Sequence, residues 1–263
     1  MLKSGESWSR KPPEMADTTV GWRFPNPRLR AEWTISLGAT AEVVAERYQI
    51  GRAEQDAFAV ESQQRAERAL SDCVFTDELV AVPLADGSSF AKDEYPRPGT
   101  TRESVATLRP AFQQGGTVTA ASSSGINDGA AALLISAAPS QPVARIVATA
   151  VAGVDPSCMG LGPIPATQKV LKRAGLNIDQ IDLIELNEAF AAQAIACIRE
   201  LRLDPARVNI YGGAIALGHP LGATGARMLT TLVHALHRTK SRYGLCTMCI
   251  GVGQGIAMIV ERA

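Results

Sequence analysis

The sequence has no surplus of either charge: 26 Lys and Arg balance 26 Asp and Glu, for a formal net charge of zero. A nucleic-acid or anionic-membrane surface needs clustered excess basic charge, so neither is expected as a partner. No apolar run reaches the roughly 18 residues of a membrane helix. The first ten residues, Met1 to Arg10, lack the apolar core of a secretory signal. Five cysteines in 263 residues are too few for a disulfide-stapled framework and point to free thiols in a reducing compartment. Histidine is scarcer still, with three. No internal repeat is visible. What remains is a cytoplasmic chain long enough for one large or two ordinary domains, with apolar residues in sufficient number for a core.

What is present reads as α/β. Residues 1 to about 35 carry prolines and tryptophans without periodicity and are expected to be irregular. Thr40 is expected to cap a helix over 41–48. A longer amphipathic helix follows from Ala53 to about Ser71, with Ala57, Val60, Ala66 and Ala69 among its apolar positions. A strand over 79–84 runs into the turn 85–89, a short helical piece starts near Arg102, and a strand over 117–120 enters the small-residue loop 122–129. Residues 130–136 are apolar, as a helix or a strand. Ser140-Gln141-Pro142 is the best domain boundary by composition. Beyond it, strands at 144–154, 181–185, 208–211, 243–250 and 255–260 alternate with helices at 166–174, 189–201 and 222–236. Gly175 is expected to stop the first of these helices. Such alternation favours a layered α/β sheet, and the glycine link between the last two strands favours an antiparallel pair closing it.

The stretch from Asn209 to Arg227 concentrates the chemistry. It sets His219 among Gly212, Gly213, Gly218, Gly222 and Gly225, which permit close approach of backbone to a ligand. Taken alone, the run is either a substrate-contacting bend with one projecting imidazole or a tight strand-to-helix turn whose histidine bonds to the backbone. Cys246 and Cys249 superficially read as a redox or metal pair. Residues three apart on a strand point to opposite faces, however, so their sulfurs should diverge. His234 and His237, near a helix end, read as solvated.

Gly212 to Arg227 resembles the histidine signature of the thiolases, the acyl-CoA acetyltransferases. Two further blocks resemble that family in the same order: Asn187-Glu188-Ala189-Phe190-Ala191-Ala192-Gln193 and Cys249-Ile250-Gly251-Val252-Gly253-Gln254-Gly255. The stretches 53–63 and 154–165 are thiolase-like too, so the resemblance covers nearly the whole chain. It implies an α/β, layered αβαβα fold of two similar halves with an excursion loop domain that binds coenzyme A. Residues 1–136 would be that loop domain plus the last element of the N-terminal half, and 140–263 the C-terminal half. The implied reaction cleaves a 3-ketoacyl-CoA with free CoA, or runs the reverse condensation, in β-oxidation or aromatic degradation.

The resemblance also implies roles. His219 would activate the nucleophilic cysteine, and Cys249 would be the acid/base at the substrate α-carbon. The Gly251 N–H would donate to an oxyanion, and Asn187 would hold a water beside His219; the bland alternative for Asn187 is the N-cap of helix 189–201. Arg97 would lie near the CoA nucleotide and Ser124 on the pantetheine. Ser104, Phe112, Ala120, Met159, Ala189 and Phe190 would line the rest, ordinary loop packing being the alternative for each. Coenzyme A and acyl-CoA would be substrates, with no permanently bound cofactor and no metal, and the assembly a homo-oligomer.

Against the family pattern, Ser36-Leu37 replaces a common His-Met, and Ala121-Ser122-Ser123 replaces a common Gly-Asn-Ala just before Ser124. The stretch 17–27 resembles the 3-oxoadipyl-CoA thiolases. Family members carry an N-terminal half ending shortly before a segment like Gly5 to Arg10, and it holds the nucleophile in a Cys-Ala/Ser-Ser-Gly context. Cys73, Cys158 and Cys197 have no such surroundings. The chain is therefore expected to be N-terminally truncated, as an inactive CoA-binding remnant or as one subunit completed by a separately encoded N-terminal half. Loss of that half should bare apolar sheet surface and force association.

Overall fold

Four stretches with alternating apolar residues make the main sheet: β1 (Ala144–Gly153), β2 (Leu183–Leu186), β3 (Tyr243–Ile250) and β4 (Gln254–Arg262). The computed structural model describes residues 2–3, 14–16, 21–138 and 140–263. The strand order is β1–β4–β3–β2. β3 and β4 form the expected antiparallel hairpin, β1 adds antiparallel to β4, and β2 runs parallel to β3. The helices are α1 (Leu37–Arg47), α2 (Arg52–Ser71), α3 (Arg102–Ala106), α4 (Pro163–Ala174), α5 (Ala191–Glu200), α6 (Ala214–Leu217) and α7 (Thr224–Thr239).

Strand alternation sorts the core onto two faces. Ile184, Leu186, Leu245, Ala257 and Ile259 face Ala166, Val170 and Leu171 of α4 and Ala194 and Cys197 of α5. Leu183, Cys246, Met258 and Val260 face Leu229, Leu232, Ala235 and Leu236 of α7. The result is three layers, helix–sheet–helix. The N-terminal helices share this body: Val44 and Ala45 of α1 and Ala59 of α2 are buried with Leu161, Ala191, Ala192, Ile195 and Ile215. The segments before and after residue 140 are thus welded through one apolar cluster.

Several expected elements differ, each for a local reason. Helix α1 starts at Leu37 because Ser36, not Thr40, is its cap: Ser36 Oγ accepts from Ala39 N at 3.1 Å. Thr40 lies inside the first turn and donates to Leu37 O at 2.6 Å. Residues 208–211 form no strand beyond a single bridge from Val208 to Ile184. At Asn209 the chain turns through φ 47°, and its side-chain amide replaces the ladder, accepting from Leu186 N at 2.9 Å and donating to Leu186 O at 2.8 Å. Residues 117–120 likewise give only a bridge from Thr119 to Pro110, since Ser122 and Ser123 hydroxyls occupy the Thr119 backbone. The strand expected over 79–84 shrinks to Val82–Pro83, paired with Ser89–Phe90 across the predicted turn. Helix α4 starts earlier than expected, with Pro163 in its first turn, and ends at left-handed Gly175 as expected.

Residues 130–136 form neither helix nor strand; Leu134 is 99 % exposed and Ile135 69 %. Val143, Ile146 and Val151 along the outer edge of the sheet are exposed as well. His237 is exposed, yet its Nε2 lies 2.7 Å from Val143 O rather than being merely solvated. The stretch Gly5 to Arg10 and the first part of the 17–27 stretch lie outside the described residues. Among those described, no helix is long and apolar enough to cross a membrane.

Candidate active site

The parallel strands β2 and β3 point their carboxyl ends at one place, the end at which open α/β sheets bind ligands. Asn187 is the first residue past β2 and is tied to β3 by its N–H donating to Thr247 O at 3.0 Å. Two residues on, Cys249 is buried with Met159, Ala189 and Phe190. Cys246 faces α7 on the other side of the sheet, so the two thiols diverge as the strand geometry requires; both are free. Asn187 is not a helix N-cap: Phe190 holds that position before α5.

His219 arrives from the short helix α6. Gly218 between them adopts φ 94° and ψ 164°, a conformation open to glycine alone, and a Cβ there would lie 2.7 Å from Asn127 Oδ1. The Asn127 carboxamide accepts from His219 N at 3.3 Å, and Ile126 bridges to His219 alongside. Both ring nitrogens are held. Nδ1 lies 2.7 Å from Thr224 Oγ1 in the first turn of α7, and Nε2 lies 3.4 Å from Asn187 Nδ2. An amide N–H only donates, so in this arrangement Nε2 carries the lone pair and Nδ1–H donates to the threonine.

Burial, and after it the charge of Arg227, pushes the His219 imidazole down to about 4. The ring is therefore unprotonated at neutral pH and free to take a proton. Cys249 goes the other way: burial lifts its thiol to about 12. The surroundings favour the thiol over the thiolate, because the neighbours that enclose the sulfur are Met159, Ala189 and Phe190, none of them a cation. Asn187 Oδ1 is buried with no hydrogen-bond partner among the described residues. The turn after β3 holds Val252 at φ 68°, a strained conformation for a β-branched residue, next to Gly251. The Gly251 carbonyl accepts from Gln254 Nε2 at 3.2 Å, while no acceptor for its N–H is found among the described residues.

Of the residues expected to line a CoA site, several converge here. Met159, Ala189 and Phe190 enclose Cys249. Phe112 meets Phe190 edge to face at 5.8 Å. Ser124 donates to Ala189 O from both N and Oγ at 3.1 Å, and Ala191 N donates to Ser122 O at 2.8 Å, so the loop with the unusual Ala-Ser-Ser sequence is firmly seated. Ala120 is exposed just ahead of it. Arg97 and Ser104 lie elsewhere. Arg97 N donates to Gln63 Oε1 at 3.0 Å, and its side chain borders a groove of about 910 Å³ between α2 and residues 89–98 that includes neither His219, Asn187 nor Cys249. The Ser104 hydroxyl is engaged in the capping box of α3. Thr224, Asn127 and Arg227 were not singled out from sequence; Thr224 and Arg227 sit inside the quoted histidine run, on the turn of helix that follows it.

Phe112 reaches Phe190 across Gly38, whose bare Cα it overlies so closely that a Cβ would enter the ring. Gly38→Ala should therefore cost about 1–3 kcal/mol by overpacking, although alanine is the better helix former. A melting curve at or above that of the parent would show that Phe112 is not fixed there.

Comparison with known proteins decides the family. Residues 18–138 match the thiolase N-terminal domain model and residues 140–262 the thiolase C-terminal domain model. The whole chain is 53% identical to the 3-oxoadipyl-CoA/3-oxo-5,6-dehydrosuberyl-CoA thiolase of Escherichia coli K12, of which it covers 68%. The chain belongs to the thiolase family. Over 95% of its length it is 49% identical to the beta-ketoadipyl-CoA thiolase of Pseudomonas aeruginosa, covering 65% of that protein. Among solved structures it matches human mitochondrial 3-ketoacyl-CoA thiolase in complex with CoA, with a TM-score of 0.81 and 40% identity over 88% of this chain and 60% of that one. The acetyl-CoA acetyltransferase of Bacillus anthracis gives a TM-score of 0.81 at 39% identity. This thiolase chain thus spans about two thirds of the curated relatives and about 60% of the solved thiolases.

Proposed function

We propose that this chain is the acid/base part of an acyl-CoA acyltransferase that cleaves a 3-ketoacyl-CoA with free CoA, or condenses the products. The observation that carries the reading is the convergence of a neutral, doubly held imidazole, an amide with an unpaired oxygen and an uncharged thiol at one end of a parallel strand pair. In cleavage, a cysteine thiolate attacks the 3-keto carbon and the bond between C2 and C3 breaks, leaving its electron pair on C2. Cys249, held as a thiol, supplies the proton that C2 needs. His219 takes the proton of the attacking cysteine and returns it to the site so that Cys249 is again a thiol; CoA, its proton taken by His219, then attacks the acyl-cysteine, and the cysteine leaves as the thiol with that proton. Asn187 and the Gly251 N–H stabilise the oxyanions. Residues 1–136 serve as the coenzyme A loop domain with the last element of the first half, and 140–263 as the second half.

The substrates we favour are 3-oxoadipyl-CoA and similar dicarboxylic ketoacyl thioesters of aromatic degradation, on the strength of the named relatives. Met159, Phe112, Ala120, Ser124, Ala189 and Phe190 bind the pantetheine arm, and Arg97 and Ser104 lie toward the nucleotide. The nucleophilic cysteine belongs to the part of a thiolase that this sequence does not span, and the assembly is homo-oligomeric. Thiolysis of 3-oxoadipyl-CoA and acetoacetyl-CoA, with and without the N-terminal half of a relative added in trans, tests this. Turnover only upon addition is expected, with CoA bound in both cases. Turnover by the chain alone would mean that another residue is the nucleophile, and CoA binding without turnover in either mixture would leave a binding remnant.

A further inference from the structure

The residue after Asn187 turns inward. Glu188 is 2% exposed, and its carboxylate receives three hydrogen bonds from three separate parts of the chain. Ser62 Oγ donates from the middle of α2 at 2.7 Å. Asn209 Nδ2 donates from the turn that replaces the missing strand at 2.8 Å. Ile215 N donates from the first turn of α6 at 3.2 Å. Ser62 Oγ in turn accepts from Gly213 N at 3.1 Å. Gly213 has to be bare, because a Cβ there would run into the Glu188 carboxyl. Burial raises the Glu188 pKa, but two of the three donors are N–H groups that cannot accept, so these bonds pull the other way and favour the carboxylate. A buried carboxylate is costly to desolvate unless its hydrogen bonds are satisfied, and a satisfied buried network stiffens the segments it joins.

The geometry to be fixed is adjacent. Glu188 follows Asn187 directly, and α6, which it grips at Ile215, ends at Leu217, two residues before His219. The same carboxylate therefore ties the loop bearing Asn187 to the loop bearing His219, whose side chains meet at 3.4 Å. We propose that Glu188 is a positioning residue that sets the Asn187–His219 separation by clamping α6 to the end of β2, with Ser62 of α2 as the third leg. This rests on the reading of His219 and Asn187 as reacting groups, but its test does not.

Three histidines make the test direct. In the full chain with ring-labelled histidine, the His219 signals are identified by their loss in His219→Asn. Glu188→Gln leaves an amide that satisfies Ser62 and Ile215 through its oxygen but sets its NH₂ against Asn209 Nδ2. Ser62→Ala removes one leg without changing any charge. In both, the His219 signals should move while those of His234 and His237 stay in place, with the Ser62→Ala chain still melting cooperatively. Unmoved His219 signals in the folded Ser62→Ala and Glu188→Gln chains would reduce Glu188 to a packing residue and overturn the proposal. Where thiolysis is measurable, kcat falls on the order of a hundredfold at unchanged KM. A complemented parent without thiolysis would count against the proposed function and leave the His219 signals to decide this one.

Discussion

Exchange of His219 for asparagine lowers thiolysis in the complemented enzyme by roughly 10²- to 10⁴-fold, the contribution of a positioned general base. Asparagine fills similar space and can still accept from Asn187, so the loss falls on proton transfer rather than on folding. The pH profile separates this from a generic defect. With the ring held near 4 by burial and by Arg227, the parent should show no histidine limb between about pH 5 and 8, and its activity should fall only as pH drops toward 4. Arg227 is on α7, three residues past the Thr224 that holds Nδ1, and its guanidinium nitrogens have no hydrogen-bond partner among the described residues. Arg227→Met should move the acidic limb upward, toward but not reaching the ordinary histidine value of about 6.5. A parent limb already near 6.5 would refute the burial, and full turnover by His219→Asn would refute the base.

The parts of this site that were legible in the sequence are those written in neighbouring residues. His219 announces itself by the small residues crowded around it, and Cys249 by the glycines that follow on a strand whose alternation can be counted. What escaped was written between distant residues. His219 N is held by Asn127, 92 positions earlier, and Glu188 by Ser62, 126 positions earlier; no local pattern encodes either. Caps and strands failed for a related reason. Ser36 and Thr40 are both capping types, and packing of α1 chose between them. Val208 to Tyr211 has the composition of a strand, but the Asn209 amide bonds to Leu186 in place of a ladder and turns the chain. The apolar stretch 130–136 has the residues for an element, yet Leu134 and Ile135 stand exposed, without a face of the described residues to bury them.

Glu185 gives the largest effect expected on stability, and its sign depends on pH. It lies on β2 with 3% of its surface exposed, and burial, with the neighbouring Glu188 and Glu78 charges added, lifts its carboxyl to about 8 against the pull of Arg227. The folded chain keeps this proton up to about pH 8, whereas the unfolded chain releases it near the ordinary glutamate value of 4.5. Its contribution is thus fully present below about 4.5 and is lost as pH rises through about 8, a swing of up to ~5 kcal/mol, of which about 3 kcal/mol is gone by pH 7. Glu185→Gln, neutral and of the same shape, should therefore raise the melting temperature by roughly 6–12 °C at pH 7 and leave it nearly unchanged at pH 5. His219 acts in the opposite sense: its lowered pKa contributes stability above about 6.5 that is lost as pH falls toward 4. The parent should consequently melt highest between about pH 4.5 and 6.5, with the glutamate limiting the alkaline side and the histidine the acidic side. Melting curves of parent and Glu185→Gln that stay parallel from pH 5 to 8 would show that the carboxyl is ionised in the folded chain, with Arg227 as its effective partner.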